Sequence, residues 1–393
     1  MMNTSMTLPK EIQSVLQTLH TADFEAYVVG GAVRDLLLSK QPKDWDVATN
    51  AKPEEMQELF PKSFYKNEFG TVTVLTGSDE KTLAEVEVTT YRTESGYEDQ
   101  RHPSDIVFVS SLKKDLARQD FTVNAIAMTE QEIIDPFDGQ VDLENKLVRA
   151  VGDAKERFSE DALRLLRGVR LAAELDFELE EATKKAITQY APAITSVSHE
   201  RIRDELVKLI MSSQPEKGMN LLQDTGLLGL ILPEVAEGIN VGQNKHHIYS
   251  VYEHGIKSLQ FAAQYKYPFY VRLAALLHDI GKPRTKRPQG NDFSFHGHDI
   301  VGARMAEKLM KRLRFSKKMT DKVTHLIRHH MFYYDVGKVT ETGARRLLRR
   351  VGKEHFDDLI KLRIAERKGS GVPKAEPYRL RHLQFLVEKA AQE

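Results

Sequence analysis

The chain contains no cysteine, which excludes a disulfide framework, a thiolate metal site and a cysteine nucleophile. No apolar run approaches the roughly 18 residues that a bilayer-spanning helix needs, so no membrane partner is expected. The opening segment MMNTSMTLPKEIQ lacks a basic start followed by an apolar stretch. No secretory leader is therefore expected, and a cytoplasmic protein is the natural reading. Internal repeats and low-complexity segments are missing as well. So is net charge, since 57 basic and 57 acidic residues cancel. The cancellation hides local clusters. KRLRFSKK at 311–318, Arg345-Arg346 with Arg349-Arg350, and Lys361 to Lys368 all lie in the C-terminal third. Taken singly each suits a solvated helix face; together they suit a surface that tracks phosphates.

What is present is a chain of 393 residues, 41% hydrophobic and 29% charged, the balance of a soluble globular protein with several structural units. Apolar residues from Leu8 to Leu19 recur at helical spacing, and Tyr27-Val28-Val29 is a short strand running into Gly30-Gly31. Gly70 to Leu75 and Leu83 to Thr90 read as strands around a turn at Gly77-Ser78-Asp79. Ile106 to Val109 is a further strand, and Ile133-Ile134 enters the turn Asp135 to Gly139. From about residue 146 the pattern is helical almost throughout, with Pro215, Pro233 and Pro283 as breaks. The expected fold class is α+β. A head with a small mixed sheet (1–145) is followed by an all-α neck (146–215) and an all-α body and tail (216–393).

Chemistry concentrates first in Gly30-Gly31-Ala32-Val33-Arg34 and Asp44-Trp45-Asp46-Val47. Paired glycines let a backbone approach a phosphate, the helix that follows can turn amides toward an anion, and Arg34 on its first turn can meet a triphosphate. Asp-x-Asp in a strand puts both carboxylates on one face. Two such carboxylates suit a pair of magnesium ions about 3.5–4 Å apart, the clamp of an in-line phosphoryl displacement. A third acid is expected on a neighbouring strand, where Glu85 and Glu87 face the same side.

GGAVRDLLL with DWDV, then EVTTYRTE, DLARQDFTVNAIAM and DPFDGQVDL, resembles the bacterial (class II) tRNA nucleotidyltransferases, the CCA-adding enzymes, and their poly(A) polymerase relatives. The similarity runs to about residue 230 with the motifs in the family's order. It implies that Asp44 and Asp46 hold Mg2+, that Glu87 is the third acid, and that Gly31, Arg34 and Arg118 touch the incoming nucleotide. Gln119 departs from the second arginine that many members carry. Asp120, Thr122 and Asn124 are also readable as residues that brace their loop by local hydrogen bonds.

The segment from Ser159 to Arg170 reads as a helix capped by Ser159, with acids in its first turn. Asp161, Arg164, Arg167 and Arg170 recur every third position, and Leu166, Val169 and Ala173 lie on the other side. A carboxylate only accepts and a guanidinium only donates. An Asp–Arg pair therefore matches the pairing edges of cytosine and adenine and mismatches guanine and uracil. The resemblance assigns the family's nucleotide-selecting motif to Glu160, Asp161 and Arg164, and neighbouring nucleotide contacts to Arg167 and Arg170. The implied activity is template-independent addition of C, C and A to the 3′ end of tRNA from CTP and ATP. An A-adding enzyme or a poly(A) polymerase is the alternative within the family. The polar segment Arg92 to Arg101 resembles the flexible loop needed for the final adenosine. The selecting helix and the aspartates, more than a hundred residues apart, must meet in the fold. A monomer is expected, with a dimer as the alternative.

Nine of the 14 histidines fall between residues 246 and 330. His254, His278-Asp279, His296, His298 and His329-His330 resemble an HD domain, which implies a divalent metal and phosphoester hydrolysis. The alternative is a helical RNA-binding body with an inherited, empty site. His330 stands where that pattern closes with an aspartate, a departure that speaks for the second reading. An HD phosphohydrolase with a degenerate head is the rival function from another class.

Overall fold

The computed structural model describes residues 7–65, 70–95, 105–243, 248–290, 292–332, 339–371 and 378–392. The chain divides into two compact units, Met1–Arg164 with Phe177–Tyr190, and Leu165–Asp176 with Ala191–Glu393. Among the described residues no helix is long and apolar enough to cross a membrane.

The first unit is built on nine strands before residue 135: β1 (Ala26–Val29), β2 (Asp46–Thr49), β3 (Ser63–Tyr65), β4 (Thr71–Leu75), β5 (Glu85–Thr90), β6 (Arg92–Ser95), β7 (Asp105–Phe108), β8 (Ala127–Met128) and β9 (Ile133–Ile134). Seven form one mixed sheet in the order β3-β4-β5-β2-β1-β8-β9, and β6 pairs with β7 separately. Within the large sheet β2 and β5 are parallel, and every other neighbouring pair is antiparallel. The period of two decides which side chains go inward. Along β5, Val86, Val88 and Thr90 are buried, while Glu85 is exposed and Glu87 and Thr89 are half-buried. A core cluster of Val29, Ala48, Tyr91, Leu112, Leu116 and Ala127 anchors β1 and β2, so the strand ends that carry the acids rest on rigid packing.

The second unit is helical. Helices Val251–Gln264, Phe269–Leu277, Lys317–His329 and Lys353–Gly369 pack on one another. Helix His298–Arg312 joins them through Lys317–His329 and through a tight crossing at Gly281. A Cβ on Gly281 would sit against the His298 carbonyl and 2.6 Å from the Gly302 amide. Only glycine allows that approach, and it brings His298 to the neighbourhood of Asp279.

Candidate active site

The approach to the site begins at Gly30, which has φ +74° and ends β1 in a left-handed turn before the short helix Gly31–Leu37. On this helix Arg34 is braced on two sides. Its Nε and Nη2 donate to Asp35 Oδ1 at 2.9 and 2.7 Å, and its Nη1 donates to Asn124 Oδ1 at 2.7 Å. Asn124 is itself tied to Asp120 Oδ1 at 3.3 Å. Asp120 and Asn124 thus reach toward Arg34 as well as bracing their own loop. Thr122 is structural in its contacts, donating to Asp142 Oδ2 at 2.5 Å in a buried setting.

Asp46 opens β2, with Val29 opposite on one side and Glu87 opposite on the other. This parallel register selects Glu87 over Glu85, which pairs with Leu75 on β4. One expectation needs correction. Asp44 is not in the strand but in the bend before it. Alternation still holds across the bend, because Trp45 is turned into the core at 4% exposure while Asp44 is exposed and Asp46 half-buried. Burial pushes the Asp46 carboxyl up to about 6, with Glu87 and then Asp44 adding repulsion and Arg118 opposing them. An excess of carboxylate charge is thereby concentrated on one partly desolvated group, the condition that a divalent cation relieves. Arg118 is oriented by Asp115, whose Oδ1 accepts from its Nε at 2.9 Å.

The base-selecting segment differs from its expected form. Ser159 does not cap a helix; it lies in the last turn of helix Ala154–Glu160, which Asp153 caps through the Lys155 amide. The chain then breaks at Asp161, in extended geometry, before helix Leu163–Leu175 begins. Asp161 Oδ1 accepts from the Leu163 amide at 3.0 Å, so it stands at the start of the helix. Arg164 ion-pairs with Glu160, and Arg157 pairs with the other oxygen of the same carboxylate. Arg164 also donates to the carbonyls of Arg157 at 3.2 Å and Arg118 at 3.1 Å. Asp161 and Arg164 therefore belong to the same compact unit as Asp44, Asp46 and Glu87, and Arg164 is tied to the Arg118 loop. Arg167 is half-buried further along the helix, and Arg170 donates to Glu174 and Glu205 at 2.6 and 2.9 Å. Leu166, Val169 and Ala173 are fully buried, as their spacing implies. The expected flexible segment falls largely at 96–101, outside the described residues.

A second cluster lies in the helical unit. His254, His278, Asp279, His298 and His330 converge and are all buried. His330 is thus part of the constellation. His329 is not: its ring packs against His325 with centroids 4.6 Å apart. His296 lines a cavity next to the cluster. Glu366, on helix Lys353–Gly369, comes within ligand distance of His254 and His278. No spacing motif links Glu366 to the histidines, and in sequence it is one acid in a basic run. Burial pushes the imidazoles of His254 and His330 down to about 3. Burial of Asp279 is outweighed by His278 and Lys282, which hold it well below the usual carboxylate range.

Comparison with known proteins places these features. Residues 26–149 match the poly(A) polymerase head domain, residues 176–239 the probable RNA- and SrmB-binding site of polymerase A, and residues 251–365 the HD domain. The chain is 48% identical over 215 residues to the CCA-adding enzyme of Lactobacillus helveticus, covering 54% of this chain and 53% of that protein. It is 46% identical over 228 residues to that of a Geobacillus species, covering 58% and 55%. The chain thus spans about half the length of the curated relatives it matches. The crystal structure of the Bacillus stearothermophilus CCA-adding enzyme with CTP superposes with a TM-score of 0.68 at 28% identity, over 98% of this chain and 82% of that one.

Proposed function

We propose that this chain, which belongs to the tRNA nucleotidyltransferase and poly(A) polymerase family, adds C, C and A to the 3′ end of tRNA from CTP and ATP. The observation that carries the proposal is the pairing of β2 with β5, which sets Glu87 beside Asp46 under the influence of Asp44 and Arg118. The naming of the relatives as CCA-adding enzymes, one solved with CTP, supports the choice of substrates.

Asp44, Asp46 and Glu87 have the oxygen chemistry that magnesium prefers. Bound there, Mg2+ would supply Lewis-acid activation and neutralise phosphate charge. The residues of the chain do the rest. In the transfer the RNA 3′-oxygen attacks the α-phosphorus, the bond to the β-phosphate oxygen breaks, and pyrophosphate leaves. Glu87 orients the acid pair or receives the hydroxyl proton. Gly31, Arg34 and Arg118 receive the triphosphate, and positioning with charge stabilisation supplies most of the acceleration. Asp161 and Arg164 present an acceptor and donors to the base, and Arg167 and Arg170 supply neighbouring nucleotide contacts. The helical unit holds tRNA by its shape and backbone.

Incubation with tRNA lacking its CCA end tests the reading. Extension by three nucleotides with CTP and ATP together, and by two with CTP alone, is the expected result. Incorporation from ATP alone onto any RNA would overturn it in favour of polyadenylation. A finer expectation concerns Asn124. Asn124→Ala removes one brace on Arg34 while Asp35 remains, so KM for CTP and ATP should rise about tenfold, the scale of one lost charged hydrogen bond. Steady-state kinetics with unchanged KM would show that Arg34 needs no such brace.

A further inference from the structure

The histidine cluster of the helical unit is organised as a set of ligands, and the evidence is in the ring nitrogens. The Nδ1 atom of His278 lies 2.9 Å from the Ala275 carbonyl, that of His298 2.8 Å from Phe295, that of His330 2.6 Å from Ile327 and that of His254 3.3 Å from Gly369. A carbonyl oxygen only accepts, so each Nδ1 carries the proton and each neutral ring presents its Nε2 lone pair. All four lone pairs enter one buried space. His254 and His278 bring their Nε2 atoms to 3.1 Å, and His298 and His330 bring theirs to 3.2 Å. Imidazoles fixed through Nδ1–H to backbone carbonyls, with Nε2 atoms converging, are the arrangement that metal-binding histidines adopt.

Asp279 stands between the two pairs. Its Oδ2 is 3.2 Å from His278 Nε2 and 3.6 Å from His254 Nε2, whereas its Oδ1 is 3.3 Å from His298 Nε2 and 3.8 Å from His330 Nε2. Each carboxylate oxygen thus belongs to one pair. His254, His278 and Glu366 form one group of ligand atoms within 4.8 Å of one another, and Asp279, His298 and His330 form a second. Asp279 and Glu366 also carry cationic neighbours, Lys282 at 2.7 Å and Arg363 respectively. These could make the cluster a purely structural ion network. A structural network has no use for four imidazole acceptors aimed at one another, which repel unless a cation lies among them.

The cluster is open on one side. A cavity of about 450 Å³ is lined by Asp279, His298 and Glu366 together with Lys282, His296 and Arg363. A guanidinium and an ammonium at the mouth of a cation pair make a receptor for a phosphoryl group.

We infer that the helical unit holds two divalent cations bridged by Asp279, one bound also by His254, His278 and Glu366 and the other by His298 and His330, and that the adjoining cavity takes a phosphate monoester. The centre is independent of the Asp44, Asp46 and Glu87 site, and Glu366 is the ligand that no sequence motif marks.

Cobalt(II) titration of the full chain, stripped with chelator, is the test. Imidazole ligation gives cobalt a visible absorption band that carboxylate–water sites barely contribute to. Two equivalents are expected to develop the band. Glu366→Gln should weaken one equivalent at least tenfold and leave the other, with CTP and ATP addition to tRNA at the wild-type rate. Asp279→Asn should weaken both equivalents. A thermal melt accompanies each variant, and if Asp279→Asn does not fold, Glu366→Gln alone decides. Inorganic phosphate should bind the cobalt-loaded chain and not the stripped one. No visible band, a single equivalent in the wild type, an unaltered Glu366→Gln titration, or equal phosphate binding with and without cobalt would each overturn the inference.

Discussion

Asp46→Asn is expected to abolish nucleotide addition and, in the same protein, to raise the thermal stability of the first unit. The ordinary value for the carboxyl is 3.8, and the fold raises it to about 6, chiefly by burial and then by the nearby Glu87 and Asp44. A raised value means that the folded chain holds the proton more tightly than the unfolded one. The stability from this group is therefore complete below about 3.8 and is lost as the pH rises through about 6. At pH 7.5 without divalent cation, ionised Asp46 works against folding by roughly 1–2 kcal/mol, after discounting the shift for partial exposure. Asparagine keeps the shape and removes the charge. Addition should fall by more than about 10³-fold, the scale of losing a group that stabilises transition-state charge. Thermal melts in chelator should show the asparagine variant above the wild type at pH 7.5, with the gap closing at pH 5 where Asp46 takes up its proton. Magnesium should stabilise the wild type more than the variant. Retained addition, or a variant that melts lower in chelator at pH 7.5, would refute the assignment of this carboxylate.

Asp161→Asn should leave the chain folded and the acid pair functional while discrimination against GTP and UTP falls by about 10²-fold or more. The estimate follows from the cost of leaving polar groups unmatched in a site built to pair with them. Asparagine is the informative replacement because it caps a helix start about as well as aspartate, so the contact to the Leu163 amide survives. Unlike the carboxylate, it can donate as well as accept, and the reversed base edges of guanine and uracil become acceptable. Competition assays with all four nucleotides read the result directly. Unchanged selectivity, with Asp46-dependent addition intact, would remove Asp161 from base recognition.

Much of this arrangement could be read from residue patterns because it depends on local rules. The alternation Glu85-Val86-Glu87-Val88 declares a strand with acids on one face, and the structure has that strand with the valines inward. Gly30 could be placed in a turn because its position, ending a strand, calls for a conformation that side chains resist, and its φ is +74°. Where the local signals competed, the reading failed. Ser159 and the following acids look like a helix start, yet Asp161 terminates one helix and begins the next. Two short helices with a break satisfy Asp153 and Asp161 as caps at once, and periodicity alone cannot see a single-residue interruption. Asp44 likewise shares the alternation of β2 without joining it.

By itself the sequence determined the elements, the reaction class implied by its acids and glycines, and the polar logic of an aspartate near an arginine. Those are properties of side-chain chemistry and of periods of two and 3.6 residues. Only tertiary structure decided which partners meet. It chose Glu87 over Glu85 because β2 and β5 run parallel in that register. It gave Arg34 to Asn124 and Arg164 to Glu160. It also drew Glu366 to histidines far from it in the chain, since helix packing places groups together with no regard for their separation in sequence.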